Sequence, residues 1–196
     1  MLVLVRHGES TANAQGLLLG RTDADLTERG RAQAHAARQF LGPVSGFRSS
    51  PLRRARDTAG ILAGDRPVEI DERWVEVDYG EYEGRPLTEV PAEVWRKWRS
   101  DPGFRPTGGE TLFEVGVRVR DACGALFATN GAGARDPDQD VVVVSHVSPI
   151  KAAVAWALRA DDGLAWRLHL STASVTRIGW GPDGAVLHGF NLTPGP

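Results

Sequence analysis

Two stretches of the chain are aliphatic without interruption, Leu2–Val5 and Val141–Val144. Neither shows the apolar/polar alternation of a half-exposed strand, so both predict central strands buried on both faces. Each run stops in polar chemistry: Arg6-His7-Gly8 after the first, Ser145-His146 after the second. Shorter strands are predicted over "VSGFRSS" (44–50) and "VEI" (68–70), and two late ones over "SVTRIGW" and "AVLHGF" around the turn "GPDG". Helical spacing marks "LTERGRAQAHAARQFLG" (26–42), with Thr27 as N-cap and Gly42 as stop. "SPLRRARDTAGILAG" (50–64) reads as a helix with Ser50 as cap and Pro51 at its first position. "TEVPAEVWRKWRS" (88–100) carries basic residues toward its end, where the helix dipole favours them. "TLFEVGVRVRDACGALFA" (111–128) opens with Thr111 and Glu114 in capping-box spacing. "SPIKAAVAWAL" (148–158) again has Ser and Pro at a helix start, and "ATNGAGARDPDQD" (128–140) reads as a polar, glycine-rich connector.

Strands alternating with helices predict an α/β protein, a three-layer α/β/α sandwich with a mostly parallel central sheet. No repeat and no long linker interrupts the pattern, so residues 1–196 are expected to form a single domain. Composition changes this picture little: 41% hydrophobic and 24% charged residues describe an ordinary globular chain. The formal charge of −2 argues against a dedicated nucleic-acid surface but leaves room for a local basic pocket. Cys123 is the only cysteine, which excludes an intramolecular disulfide and fits a reducing compartment. The start "MLVLVRHGE" has no basic n-region, and no window of about 20 apolar residues occurs, so neither a signal peptide nor a membrane span is expected. The expected location is the cytoplasm.

In a parallel sheet all carboxyl ends share one edge, so His7 and His146 can converge although they are far apart in sequence. Arg6 and Arg54 belong to the same edge. Two arginines, two histidines and a helix N-terminus around one crevice make an anion site. The motifs go further. "RHGESTAN" (6–13), "GRTDADLTERGRAQA" (20–34), "SSPLRRARDTA" (49–59), "WVEVDYGEYEG" (74–84), "TGGET" (107–111) and "VVVVSH" (141–146) resemble, in order, the blocks of the histidine phosphatase superfamily, the phosphoglycerate mutase-like proteins.

That resemblance implies the roles. His7 would be the nucleophile that takes the phosphoryl group, with Arg6, Arg54 and His146 around the phosphate oxygens and Asn13 donating a further hydrogen bond. Glu76 matches the acidic position by register, two residues after Trp74, in preference to Asp78, Glu81 and Glu83. It would protonate the leaving oxygen, its proton affinity raised beside a phosphate dianion, and then activate water. Gly20 and Val147 fall at substrate-binding positions. Val147 stands where the family usually has glycine; its main-chain N–H can still bind, or its isopropyl group can narrow the pocket. No metal or cofactor is called for, since the arginines supply the positive charge and metal-ligand spacings do not occur.

The implied function is hydrolysis of a small phosphorylated metabolite through phosphohistidine. The alternative is a cofactor-dependent phosphoglycerate mutase, which the compact chain, with six residues after Phe190, disfavours. A phosphate-binding protein without turnover would be expected to have lost the nucleophile or the acid. Arg53 and Arg56 are read as a solvated helix face, Asp25 as a loop difference, and His35, His169 and His188 as structural or exposed. Cys123 is read as a core residue. Trp95 and Trp98 belong either to a packed helix or to a cap over the crevice. The late strands offer an edge for a homodimer, and no nucleic acid or membrane partner is expected.

Overall fold

The computed structural model describes residues 1–128 and 140–193. The predicted glycine-rich connector therefore lies, apart from its two end residues, outside the described residues. Six strands, β1 (Leu2–Arg6), β2 (Val44–Ser49), β3 (Val68–Ile70), β4 (Asp140–Ser145), β5 (Val175–Gly181) and β6 (Gly184–Leu192), form one sheet in the order β3-β2-β4-β1-β5-β6. The first four run parallel; β5 returns antiparallel against β1, and β6 pairs antiparallel with β5. The helices are α1 (Thr11–Ala14), α2 (Glu28–Ala37), α3 (Arg53–Ala63), α4 (Ala92–Ser100), α5 (Leu112–Ala128) and α6 (Val147–Ala157).

The side-chain period of two divides each central strand between two cores. Leu2 and Leu4 of β1, with Val143 of β4 and Ile178 of β5, pack on Val115 and Val119 of α5 and Ile150 of α6. Val3 and Val5, with Val142 and Val144, pack on the opposite face against Ala37 of α2 and Ala55, Ala59 and Leu62 of α3. The result is the predicted α/β/α sandwich. Unbroken aliphatic runs fit because both faces of β1 and β4 are covered; each fully buried Val or Leu side chain contributes roughly 1.5–3 kcal/mol of transfer free energy.

Helix starts are where the structure departs from the sequence reading. Thr27 caps α2 as predicted, its hydroxyl accepting from Gly30 N. The Thr111–Glu114 capping box also forms, with Glu114 N donating to Thr111 Oγ1 and Thr111 N to Glu114 Oε2. Ser50, however, does not cap α3. That helix begins at Arg53 after an extended Leu52, and its first N–H donates to Asp23 Oδ1 at 2.7 Å. The Ser50 hydroxyl has been drawn to a histidine instead, as described below. Helix α6 starts at Val147, one residue before the expected serine, with His146 at its N-cap. Residues 88–90 stay out of α4 because Pro91 disfavours helical backbone at Val90, which is extended; Leu87–Glu89 forms a separate 3₁₀ turn. The four-residue α1 was not anticipated. Ser10 caps it, and the Asn13 side chain closes the box by accepting from Ser10 N.

Helix α4 has its own small core: Trp98 is buried with Leu18, Val90 and Val94, ringed by Tyr79, Tyr82, Trp95, Phe104 and Trp166. Cys123 is buried in the α5 face of the sheet, and His35, His169 and His188 are exposed. No helix among the described residues is long and apolar enough to cross a membrane.

Candidate active site

Strands β1 and β4 are hydrogen-bonded neighbours in parallel register, with Arg6 opposite Ser145. One residue further on, each chain leaves the sheet with a histidine, and the rings of His7 and His146 face each other with centroids 5.1 Å apart. Both side chains are buried. His7 Nδ1 lies 2.7 Å from the carbonyl of Gly8; a carbonyl only accepts, so Nδ1 carries the proton and Nε2 the lone pair. Burial holds the His7 imidazole well below its ordinary proton affinity, and the charges of Arg6 and Arg54 push it further the same way. His146 is depressed by burial first, then by Arg54. Its Nε2 is hydrogen-bonded to Ser50 Oγ at 2.7 Å.

The arginines are braced by main-chain carbonyls. Arg54 Nη2 donates to Gly20 O at 2.6 Å and Nη1 to Thr22 O at 2.9 Å, while Arg6 Nη1 donates to Leu170 O at 2.6 Å. Gly20 thus acts on the site through Arg54. Its loop is pinned in turn by Glu83, whose carboxylate accepts from Gly20 N, Arg21 N and Tyr79 N. Bonding guanidinium groups to carbonyls fixes them without neutralising them, which preserves their charge for an anion. Two buried polar atoms here have no hydrogen-bond partner among the described residues, Arg6 Nε and His146 Nδ1. Leaving a buried polar atom unpaired costs about 1–3 kcal/mol, so each such group asks for an explanation.

Glu76 enters from the segment after β3. Trp74, fully buried, anchors that segment; Ser145 Oγ donates to Trp74 O, and Arg118 of α5 donates to the carbonyls of Arg73 and Glu76. The Glu76 carboxylate accepts from Val77 N (2.8 Å), Val147 N (3.0 Å) and Ser148 N (3.1 Å). It therefore sits across the N-terminus of α6, where unpaired N–H groups and the helix dipole favour an anion. The Val147 N–H expected to bind substrate is engaged by this carboxylate.

Arg6, His7, Arg54, Glu76 and His146 are thus brought together. Asn13 is accounted for locally: its Oδ1 accepts from Ser10 N and Ser10 Oγ, which leaves the amide NH₂ as its donor. Arg53 pairs with Asp25 at 2.8 Å on the surface, in keeping with its solvated reading. Sequence reasoning missed Arg118 and the site role of Ser50, and weighed Glu83 only as an alternative acid. Ser50 carried a signal, a serine before proline, but the same signal marks a helix cap. Burial raises the Tyr79 phenol, so it stays protonated. No group of three or more His, Cys, Asp or Glu side chains among the described residues is placed to hold a metal ion.

Fold and site together define an α/β protein with a neutral histidine pair inside an arginine clamp at the carboxyl edge of its sheet. The profile of the histidine phosphatase superfamily, branch 1, matches residues 2–193, and the chain belongs to that family. It is 36% identical over 193 residues to a bifunctional protein of Mycobacterium tuberculosis, covering 94% of this chain and 51% of that one. The chain thus spans about half the length of that relative. It is 34% identical over 200 residues to phosphoserine phosphatase 1 of Hydrogenobacter thermophilus, covering 98% and 92% of the two chains. The structure of mycobacterial glucosyl-3-phosphoglycerate phosphatase in complex with VO3 superposes with a TM-score of 0.89 at 32% identity, over 98% of this chain and 99% of that one.

Proposed function

We propose that this chain is a phosphomonoester hydrolase that works through a phosphohistidine on His7, without a metal, on a small phosphorylated metabolite. The observation that carries this reading is a buried, neutral His7 whose Nε2 is free while two arginines fixed by carbonyls stand beside it. Phosphatases among its relatives support the reaction class. The single cysteine supports a cytoplasmic location, and the continuous sheet supports one domain.

In the first half-reaction the His7 Nε2 lone pair forms a bond to phosphorus as the ester P–O bond breaks, and the leaving oxygen takes a proton from Glu76, which has acquired it from solvent as the phosphate dianion arrives and takes over its N–H donors. The charge on the phosphoryl group spreads over three equatorial oxygens in the transition state. Arg6 and Arg54 meet that charge, as do the two unpartnered atoms, Arg6 Nε directly and His146 Nδ1 when it carries a proton. Proton transfer from His7 Nδ1 toward Gly8 O is not required, since that hydrogen bond steadies the imidazolium as it forms. In the second half Glu76 accepts a proton from water, which attacks phosphorus and releases inorganic phosphate and neutral His7. Asn13, through its free NH₂, and the Val147 N–H, once Glu76 yields it, complete the donor set.

The test is phosphate release from a panel of phosphomonoesters with a chelator present. Wild type is expected to turn over one or more esters undiminished by chelation. His7→Ala should be inactive, and Glu76→Gln should fall by about 10²–10⁴, the range of a general acid–base group. Isomerisation of 3-phosphoglycerate in the presence of 2,3-bisphosphoglycerate without net phosphate release would make the protein a mutase instead. Activity retained in His7→Ala would overturn the proposal.

A further inference from the structure

Strand β2 leaves the sheet at Ser49, yet Ser50 is still tied to β4, its N–H donating to the carbonyl of Val144 at 2.9 Å. That tie sets the Ser50 hydroxyl beside the histidine that follows β4, with Oγ 2.7 Å from His146 Nε2. We infer that Ser50 is a positioning residue: its hydroxyl donates to His146 Nε2, holds the neutral ring with its proton on Nδ1, and so makes Nδ1–H a donor to the transferring phosphoryl group. The use of that donor rests on the phosphatase reading; the tautomer itself can be measured without any substrate.

A hydrogen count decides the direction of the bond. Ser50 and His146 are both fully buried. A serine hydroxyl has one proton and two lone pairs. One lone pair of Ser50 Oγ accepts from Leu52 N at 3.3 Å. If His146 carried its proton on Nε2, the ring would donate into the second lone pair. The Ser50 proton would then have no acceptor among the described residues, and the Nδ1 lone pair would have no donor, which leaves two unmet groups in a buried site. If Ser50 donates instead, the hydroxyl is satisfied as donor and as acceptor, and only Nδ1–H is left over. Buried polar groups are paired with few exceptions, so one unmet group is favoured over two.

The group left over is the one the chemistry uses. Arg54, His7 and Arg6, the side chains of the anion site, act on the His146 ring by charge, and with burial they keep it neutral. A neutral imidazole has a single N–H to offer, and the bond made at one nitrogen decides which nitrogen carries it. On Nδ1 that N–H is available to a phosphoryl oxygen. On Nε2 it would be spent on Ser50, and Nδ1 would present a lone pair that an anion repels. Ser50 therefore lets His146 donate without first taking a proton from solvent. The same bond explains why α3 starts without a serine cap, since the hydroxyl is engaged by the ring.

Nitrogen NMR of ¹⁵N-histidine-labelled wild type, without substrate and at neutral pH, reads the tautomer directly. The His146 signals, assigned by their loss in His146→Phe, should show Nδ1 protonated and Nε2 unprotonated. A proton on Nε2 would overturn the assignment whatever the enzyme turns over. Ser50→Ala should move His146 toward the Nε2-protonated form. It should also lower kcat on the best ester of the panel by about 10- to 10²-fold, at or below the ~10²–10³ typical of removing such a donor outright. A double-mutant cycle separates this effect from a packing defect. In a His146→Phe background, Ser50→Ala should cost less than about twofold in kcat, because its effect runs through the ring. An equal loss in both backgrounds, or an unchanged kcat in the single variant, would overturn the positioning role and leave the phosphatase reading intact. Should Ser50→Ala fail to fold, Ser50→Gly removes the same hydroxyl, and the wild-type spectrum stands by itself. If no ester of the panel is turned over, the phosphatase reading falls and the spectra still decide Ser50: an Nδ1 proton that moves when the hydroxyl is removed supports the assignment, and one that stays refutes it.

Discussion

At His7 the protonation state is set by where the ring is held. Burial and the two flanking guanidinium groups depress its proton affinity, and burial with Arg54 does the same for His146. Both imidazoles should therefore remain neutral through pH 6, so their Cε1 chemical shifts should not move between pH 7 and pH 6 in an NMR titration. A midpoint near the ordinary value of 6.5 for either ring would contradict this. The stability consequence has a definite sign. With folded pKa values below 6.5, the unfolded chain binds protons that the folded chain does not, so this contribution is complete above about pH 6.5 and is lost as pH falls below it. Thermal midpoints should drop from pH 7 to pH 5.5, and more steeply for wild type than for His146→Phe. At this scale the sequence was legible wherever chemistry ends a strand: His7, His146 and Arg6 needed only the rule that parallel strands end on one edge. Ser50 was not legible as a partner of His146, because a serine before proline looks the same whether it caps a helix or bonds to a ring 96 residues away.

Among the elements, the tight contact is between the end of β1 and the start of α2. A Cβ at Gly8 would run into the carbonyl of Gly30, and a Cβ at Gly30 into the backbone of Glu9. The two glycines let the helix and the strand end touch through their backbones, which explains why glycine follows His7. Gly30→Ala must push α2 away and shift the segment that carries His7. Overpacking of this kind costs about 1–3 kcal/mol, and a misplacement near 1 Å can cost about 10² in rate. The expected result is a lowered melting temperature together with a kcat loss of about tenfold or more; unchanged kcat would mean that the strand end is not held by α2. Strand and helix identities were readable from aliphatic runs and helical spacing. The starts of α2 and α5 were readable too, because Thr27 and Thr111 cap them locally; those of α3 and α6 were not, since they depend on which distant group satisfies the first N–H groups: Asp23 for Arg53, Glu76 for Val147 and Ser148.

For the molecule as a whole, the sheet order places β4 between β2 and β1, so three consecutive strand ends deliver Ser49-Ser50, Ser145-His146 and Arg6-His7 to one rim. Around that rim, long-range side-chain bonds hold the site: Glu83 to the Gly20 loop, Arg118 to the Glu76 segment. Nothing in local spacing announces such bonds, and they account for most of what the sequence left unread. The antiparallel β5 and β6 extend the sheet on the far side of β1 and end in an exposed face carrying Trp180, Val186 and Leu192. The architecture predicted from alternation of strands and helices is the one observed because both faces of the central strands required cover. Transfer of the phosphoryl group to His7 is open to observation by trapping the intermediate. Wild type mixed with a ³²P-labelled substrate and quenched within milliseconds should carry label that is stable to alkali and labile to acid, located on the peptide containing His7. That label should be absent from His7→Ala and should accumulate in Glu76→Gln when the ester has a good leaving group. Turnover by wild type with no label on His7 at any quench time would overturn phosphohistidine formation and point to direct attack by water.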